Sequence, residues 1–180
     1  MQTAPASLLF RDFRQSDLPM LAQAMGDTRV TRFYGLETHH TDANAIACEQ
    51  LGWYHQLLGD GEGWWQAICV GANGTDAIGG LGVYDRDDDG DSAELGYWLL
   101  PGHWGRGIMK TALRQWLPGA FRRLALHSVV AYVEPGNAAS SRLLSQTGFT
   151  LEGLLRDCTK REGRYVSLQR YSLLAGELEA

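Results

Sequence analysis

The sequence has too few cysteines to staple or chelate with, and too little positive charge to hold polyanions broadly. Its three cysteines, Cys48, Cys69 and Cys158, are odd in number, far apart and free of any CxxC pair. That excludes a disulfide framework or zinc ribbon and fits a reducing compartment. Sixteen Lys and Arg stand against 21 Asp and Glu, a net charge of −5, whereas nonspecific binders of nucleic acid or anionic membranes carry a positive excess. No stretch approaches the roughly 18 apolar residues of a membrane span, and residues 1–9 hold neither a basic segment nor a signal-like apolar run. Internal repeats and Pro-, Gly- or Ser-rich linkers are also missing. The expectation is a cytoplasmic protein with no membrane and no nucleic-acid partner.

What is present is one domain's worth of chain. Its 180 residues, 44% apolar and 21% charged, suffice for a single core burying roughly 70% of the unfolded surface, so residues 1–180 are expected to form one domain. LLFRDF alternates like a strand. Ser16 reads as the N-cap of a helix whose stripe is Leu18, Leu21, Ala22 and Met25, and Thr41 as that of a second helix ending near Gly59. Three strand-like runs follow, WWQAICV, AIGGLGVYD and SAELGYWLL, broken by an Asn73-Gly74 turn and a Gly90 turn, which reads as an antiparallel meander. Next come a helix near Gly107 to Leu117, the strand SVVAYV, a helix from Asn137 to about Gln146, and the strands FTLEGLLRD and YVSLQRYSL. The order βααβββαβαββ predicts an α/β (α+β) fold, a mixed sheet covered by helices.

The most informative stretch is SAELGYWLLPGHWGRGIMKTAL, where a strand meets Pro101 and Gly102 and a glycine-spaced turn opens into a helix. Met109, Ala112, Leu113, Trp116 and Leu117 mark that helix's apolar face, so its start is well placed. First-turn N–H groups lack intrahelical partners, and a phosphate over Gly105 to Met109 would receive several hydrogen bonds. Gly105 and Gly107 permit a close backbone approach. A glycine pair alone fits an unliganded connection better than an anion site, so context must decide. The dinucleotide pattern GxGxxG would need Gly or Ala at Lys110, and GxxxxGK[ST] has no match, which excludes both of those phosphate loops.

A second strand, turn and helix follow in AYVEPGNAASSRLLSQTGF, with Asn137 as N-cap and Gly148 beyond the helix end. Capping alone explains Asn137. Ser140, in the first turn, could stabilise a thiolate together with the positive helix end, or could be an ordinary surface serine.

These residues resemble the GNAT superfamily of acetyl-CoA-dependent N-acetyltransferases, and within it the RimJ/RimL type that acts on ribosomal-protein N-termini. AELGYWLLPGHWGRGIM is similar to the family's fourth strand and pyrophosphate loop, NAASSRLLSQTGFTLEG to its second cofactor segment, and GRYVSLQRYSLL to its closing strand. Met109 stands where most members have Gly or Ala. The resemblance implies a mostly antiparallel central sheet flanked by helices. Acetyl-CoA would be the donor, with Trp104, Gly105, Arg106, Gly107, Ile108 and Met109 on the CoA pyrophosphate. Leu99 would pair its backbone with pantetheine, Asn137 would line the pantetheine channel, and Ser140 would hydrogen-bond the departing sulfur. No metal is implied.

Such catalysis is direct attack of an amine on a bound thioester, so positioning supplies much of the rate and a base removes one proton. Freeing an α-amine of pKa near 7.8 at pH 7 costs about 1 kcal/mol, against about 4.6 for a lysine amine near 10.4. Strand alternation sets Glu94, Gly96 and Trp98 on one face, making Glu94 the candidate base, through a water. The bland alternative is a solvated strand carboxylate. The acceptor is a primary amine, either a peptide N-terminus or a small molecule. A noncatalytic acyl-CoA-binding or sensing module on the same scaffold is the competing reading.

Other features weigh less. DRDDDGD imitates the first half of a calcium loop, but position 12 falls on Gly96, so a solvated hairpin turn is expected. His39, His40, His55, His103 and His127 lack HExxH spacing, which argues against zinc. Trp64, Trp65, Tyr97 and Trp98 read as core aromatics, some of which could wall an acceptor site. Arg122 and Arg123 read as solvated. A homodimer is expected only from the general frequency of symmetric assemblies.

Overall fold

Apolar residues on alternate positions of the central strands supply two faces, and the fold covers both. The computed structural model describes residues 8–35, 38, 40–71, 74–161 and 163–178. Strand β1 (Leu9–Arg11) leads into a 3-10 turn and then helices α1 (Leu18–Met25), α2 (Thr28–Thr31) and α3 (Ala43–Asp60). Strands β2 (Trp64–Val70), β3 (Asp76–Tyr84) and β4 (Ser92–Leu99) form the meander. After it come α4 (Ile108–Leu124), β5 (Ser128–Val133), α5 (Ala138–Ser145) and the hairpin of β6 (Thr150–Arg161) and β7 (Arg164–Leu174). The seven-stranded sheet has the order β1-β2-β3-β4-β5-β7-β6, and all its pairings are antiparallel except β4 with β5.

Along β4, Leu95 and Leu99 face the core under α4, while Trp98 faces the core under α1 and α3. α4 buries Ile108, Met109, Ala112, Leu113, Trp116, Leu117, Ala120 and Phe121, a continuous helical stripe. On the opposite face the indole of Trp65 lies flat on the sheet, because a Cβ at Gly82 would fall 2.3 Å from Trp65 Cγ and one at Gly96 2.7 Å from Cζ2. These two glycines are therefore required by packing.

Several boundaries differ from the sequence reading. Ser16 sits inside the 3-10 turn Gln15–Asp17 rather than capping a helix, and α1 starts at Leu18 with Asp17 as its N-cap. The one-turn α2, capped by Asp27 through the Arg29 amide, adds a helix to the expected order. α3 is capped by the Asp42 carboxylate, one residue beyond Thr41, and ends at Gly61 in a left-handed conformation. α4 runs past Leu117 through Pro118 to Leu124. The carbonyl that Pro118 leaves without a donor is that of Arg114, on the exposed side of the helix, where water can reach it. The expected Asn73-Gly74 turn falls partly on Asn73, outside the described residues.

Candidate active site

The parallel pair β4 and β5 is joined only over Ser92–Glu94 with Ser128–Val130. Beyond that point the strands diverge, leaving the Leu95–Leu99 edge without a strand partner on the β5 side. Glu94 is the last paired residue and sits at the apex of the V. Its other neighbour is Tyr84 on β3, whose hydroxyl donates to Glu94 Oε1 at 2.6 Å. Burial pushes the Glu94 carboxyl above its ordinary pKa, with Asp85 adding to the rise and the Tyr84 hydrogen bond opposing it. A carboxylate held this way is a stronger base than a solvated one.

At the open end of β4 the chain makes a 3-10 turn at Pro101–His103 and then the turn Trp104 to Gly107. Gly105 and Gly107 have φ of +71° and +73°, and a Cβ on either would meet nothing within 4 Å. Backbone conformation, not packing, calls for glycine here. Gly107 caps α4, and the first intrahelical bond is Thr111 N–H to its carbonyl. The amides of Ile108, Met109 and Lys110 thus precede any intrahelical acceptor, while the side chains of Ile108 and Met109 are buried and anchor them. The result is a rigid set of N–H donors at a helix start, suited to a phosphate. Trp104 donates its indole N–H to the Leu99 carbonyl at 2.8 Å, so the loop and the strand edge touch.

Across the V, the Asn137 side chain accepts the Ser140 amide at 3.2 Å and caps α5. Ser140 Oγ lies 2.6 Å from the Tyr97 hydroxyl. Burial raises the Tyr97 pKa to about 12, the Ser140 contact opposing that rise.

One cleft of about 1860 Å³ joins these parts. Of the residues read from the sequence, Glu94, Leu99, Trp104, Gly105, Gly107, Ile108, Met109, Asn137 and Ser140 line it. Arg106 is exposed on the same turn and does not. The end beyond Glu94 is walled by Tyr34, Trp53, Trp65 and Tyr84, with Glu49, Glu62 and Asp85 also there. Tyr34, Tyr54 and Trp98 are tied together by hydrogen bonds of 3.0 and 3.1 Å. The β6–β7 hairpin closes the side with Thr159, Leu168 and Arg161, the last paired with Glu134. His103, on the loop, has its pKa lowered by burial and by Arg106.

Sequence reasoning singled out neither Tyr84 nor Tyr97 for chemistry. Tyr84 could have been found by pairing the meander's strands, which sets it opposite Glu94. No local signal links Tyr97 to Ser140, because they come together only through the divergence of β4 and the placement of α5. Of the other sequence features, the aspartate-rich segment is a β3–β4 hairpin turn in which Asp87 Oδ1 accepts the amides of Asp91 and Ser92. Trp65 and Trp98 are core residues, and Arg123 lies over the Trp64 ring. Among the described residues no cluster of three His, Cys, Asp or Glu is placed to hold a metal, and no helix is long and apolar enough to cross a membrane. His39 lies outside the described residues.

Comparison with known proteins bears on the family and the fold. Residues 7–150 match the model of the acetyltransferase (GNAT) domain. An uncharacterized N-acetyltransferase, p20, of Bacillus licheniformis is 32% identical over 170 residues, 94% of each chain. The solved spermidine N-acetyltransferase of Vibrio cholerae, in complex with CoA and spermine, superposes with a TM-score of 0.80 at 21% identity, covering 95% of this chain and 97% of that one. A ribosomal-protein-S5-alanine acetyltransferase from Vibrio fischeri gives 0.80 at 18% identity over the whole of both chains. At those identities the two structures show a common fold.

Proposed function

The chain belongs to the GNAT acetyltransferase family and is an N-acetyltransferase, and from that premise we propose a primary amine as acceptor, acetylated in a ternary complex with acetyl-CoA. The amine is a peptide N-terminal α-amine, as for the RimJ/RimL type, or that of a small molecule. The observation that carries the reading is the divergence of β4 from β5, which opens one cleft onto both the α4 start and Glu94. The amides of Gly105 to Met109 bind the pyrophosphate, with Arg106 and Trp104 on the same turn. The open backbone edge at Leu99 pairs with the pantetheine amides, and Asn137 lines the far wall.

Glu94, through a water, takes the proton that the amine loses as its nitrogen bonds to the thioester carbon. As the C–S bond breaks, the Ser140 hydroxyl donates a hydrogen bond to the departing sulfur.

The test is calorimetric titration with acetyl-CoA, using 3′-dephospho-CoA and ATP as controls, followed by thiol release over a panel of peptides and small amines. Saturable acetyl-CoA binding with amine-dependent release is expected. Binding without release for any amine would leave a noncatalytic module, and no binding would overturn the reading.

A further inference from the structure

Ser140 can stabilise a departing thiolate only if its one hydroxyl proton points into the cleft. A free serine hydroxyl rotates among three positions, and here a second hydroxyl competes for it. The phenol of Tyr97 lies 2.6 Å from Ser140 Oγ, and two hydroxyls in contact share one proton between them. If serine donates to the phenol, its proton is turned away from the ligand. If the phenol donates, the serine proton is left free.

The chemistry of the pair decides the direction. A phenol is far more acidic than an aliphatic alcohol and is the better donor. Tyr97 lies partly buried on β4 against the core under α4, and a tyrosine of pKa about 12 stays protonated throughout the working range. The Ser140 amide is itself held by the Asn137 cap at 3.2 Å, which holds the Ser140 backbone at the start of α5, and Oγ is placed by its contact with Tyr97. Both residues line the cleft.

We infer that Tyr97 is a positioning residue for thiolate departure, donating its phenolic proton to Ser140 Oγ so that the serine hydroxyl is directed at the leaving sulfur. This rests on the acetyl-CoA reading and on Ser140 as the sulfur's partner. No proton leaves Tyr97. The chain phenol to serine to sulfur is a run of hydrogen bonds in which each strengthens the next, and the thiolate departs with its electron pair stabilised at the end of that run.

The experiment compares wild type with Tyr97→Phe, Ser140→Ala and the double variant. Tyr97→Phe keeps the ring and its packing. The readouts are kcat, the KM for acetyl-CoA, and the ultraviolet titration of the thiol of bound CoA. Tyr97→Phe should lower kcat roughly fivefold to tenfold, the loss typical of one hydrogen bond, with KM nearly unchanged. The bound thiol should titrate lower on wild type than free CoA does, and higher again on Tyr97→Phe and on Ser140→Ala. The double variant should be no worse than Ser140→Ala, because the phenol acts only through the serine. A thiol titration unmoved by Tyr97→Phe but moved by Ser140→Ala would overturn the inference and leave the role of Ser140 standing. Additive losses in the double variant would overturn it as well. A titration unmoved by Ser140→Ala would overturn both. Failure of the acetyl-CoA reading is recognised separately, by the absence of CoA binding to wild type.

Discussion

The Trp104 indole donates to the Leu99 carbonyl at 2.8 Å, joining the glycine turn before α4 to the strand edge on which pantetheine would lie. Trp104 is otherwise nearly half exposed, at 46%, so this bond is its main polar tie. A pantetheine amide donating to the same carbonyl must share it with the indole or displace it. Acetyl-CoA titration should therefore change the intrinsic tryptophan fluorescence, and Trp104→Phe should remove most of that change while the protein still binds. The same change in both proteins would show that the indole keeps its place.

Glu94 and Tyr84 make a prediction whose sign is fixed. Burial raises the Glu94 pKa, and the Tyr84 hydroxyl, bonding to the charged form, holds it down. Removing that donor in Tyr84→Phe raises the carboxyl further. The acid limb of kcat/KM, where the base becomes protonated as pH falls, should then move to higher pH. Glu94→Gln should lower kcat, leave acetyl-CoA binding intact and abolish that limb. To separate Glu94 from the amine's own ionisation, the profile is repeated with an acceptor of different pKa. A limb that follows the amine and ignores Tyr84→Phe would remove Glu94 from the mechanism.

Gly107 separates stability from binding. Its φ of +73° costs an L-residue about 1 kcal/mol, and with nothing within 4 Å of an added Cβ no clash enlarges that cost. Gly107→Ala should thus lower the melting temperature by only a few degrees. On the acetyl-CoA reading the added methyl would stand where the pyrophosphate approaches the backbone, and N–H bonds to a charged acceptor are worth about 1.5–3 kcal/mol each. The Kd for acetyl-CoA should rise about tenfold or more. Equal losses in stability and affinity would mean that the turn has no special relation to the ligand.

How much of this was legible depended on whether the signal was local. The Met109 to Leu117 stripe fixed the position of α4, and the strand WWQAICV reads as β2 without change. The sequence hides the end of α4, because proline usually stops a helix, whereas Ala120 and Phe121 continue the buried stripe beyond Pro118. One turn of helix at Thr28–Thr31 buries only Val30, too little for a periodicity. The divergence of β4 from β5 has no sequence signature, and only the resemblance, which pairs the Leu99 backbone with pantetheine, implies an open strand edge there. Alternation puts Glu94 with Gly96 and Trp98, as found, whereas Tyr97 reads from the sequence only as one of four core aromatics that could wall an acceptor site. The contact with Ser140, 43 residues away, is what suggests a chemical role for that tyrosine.

Arg11 and Asp17 test the other end of the sheet. Asp17 is 5% exposed and takes two bonds from the Arg11 guanidinium, at 2.7 and 2.8 Å, plus the Arg14 amide at 2.8 Å. Burial pushes its pKa up, but Arg11 and the Arg14 amide together outweigh that, and the carboxyl lies below its ordinary value. A group whose pKa is depressed by folding contributes stability above the unfolded pKa, near 3.9, and loses it as pH falls through the folded value. Asp17→Asn preserves the shape and removes the charge, and should cost about 2–3 kcal/mol at pH 7. The cost is moderated because Arg11 also donates to the Gly74 carbonyl. Denaturant melts from pH 7 down to pH 3 should show the gap between wild type and Asp17→Asn narrowing below about pH 4. A gap that stays constant across that range would mean that the pair acts through shape alone and not through its charge.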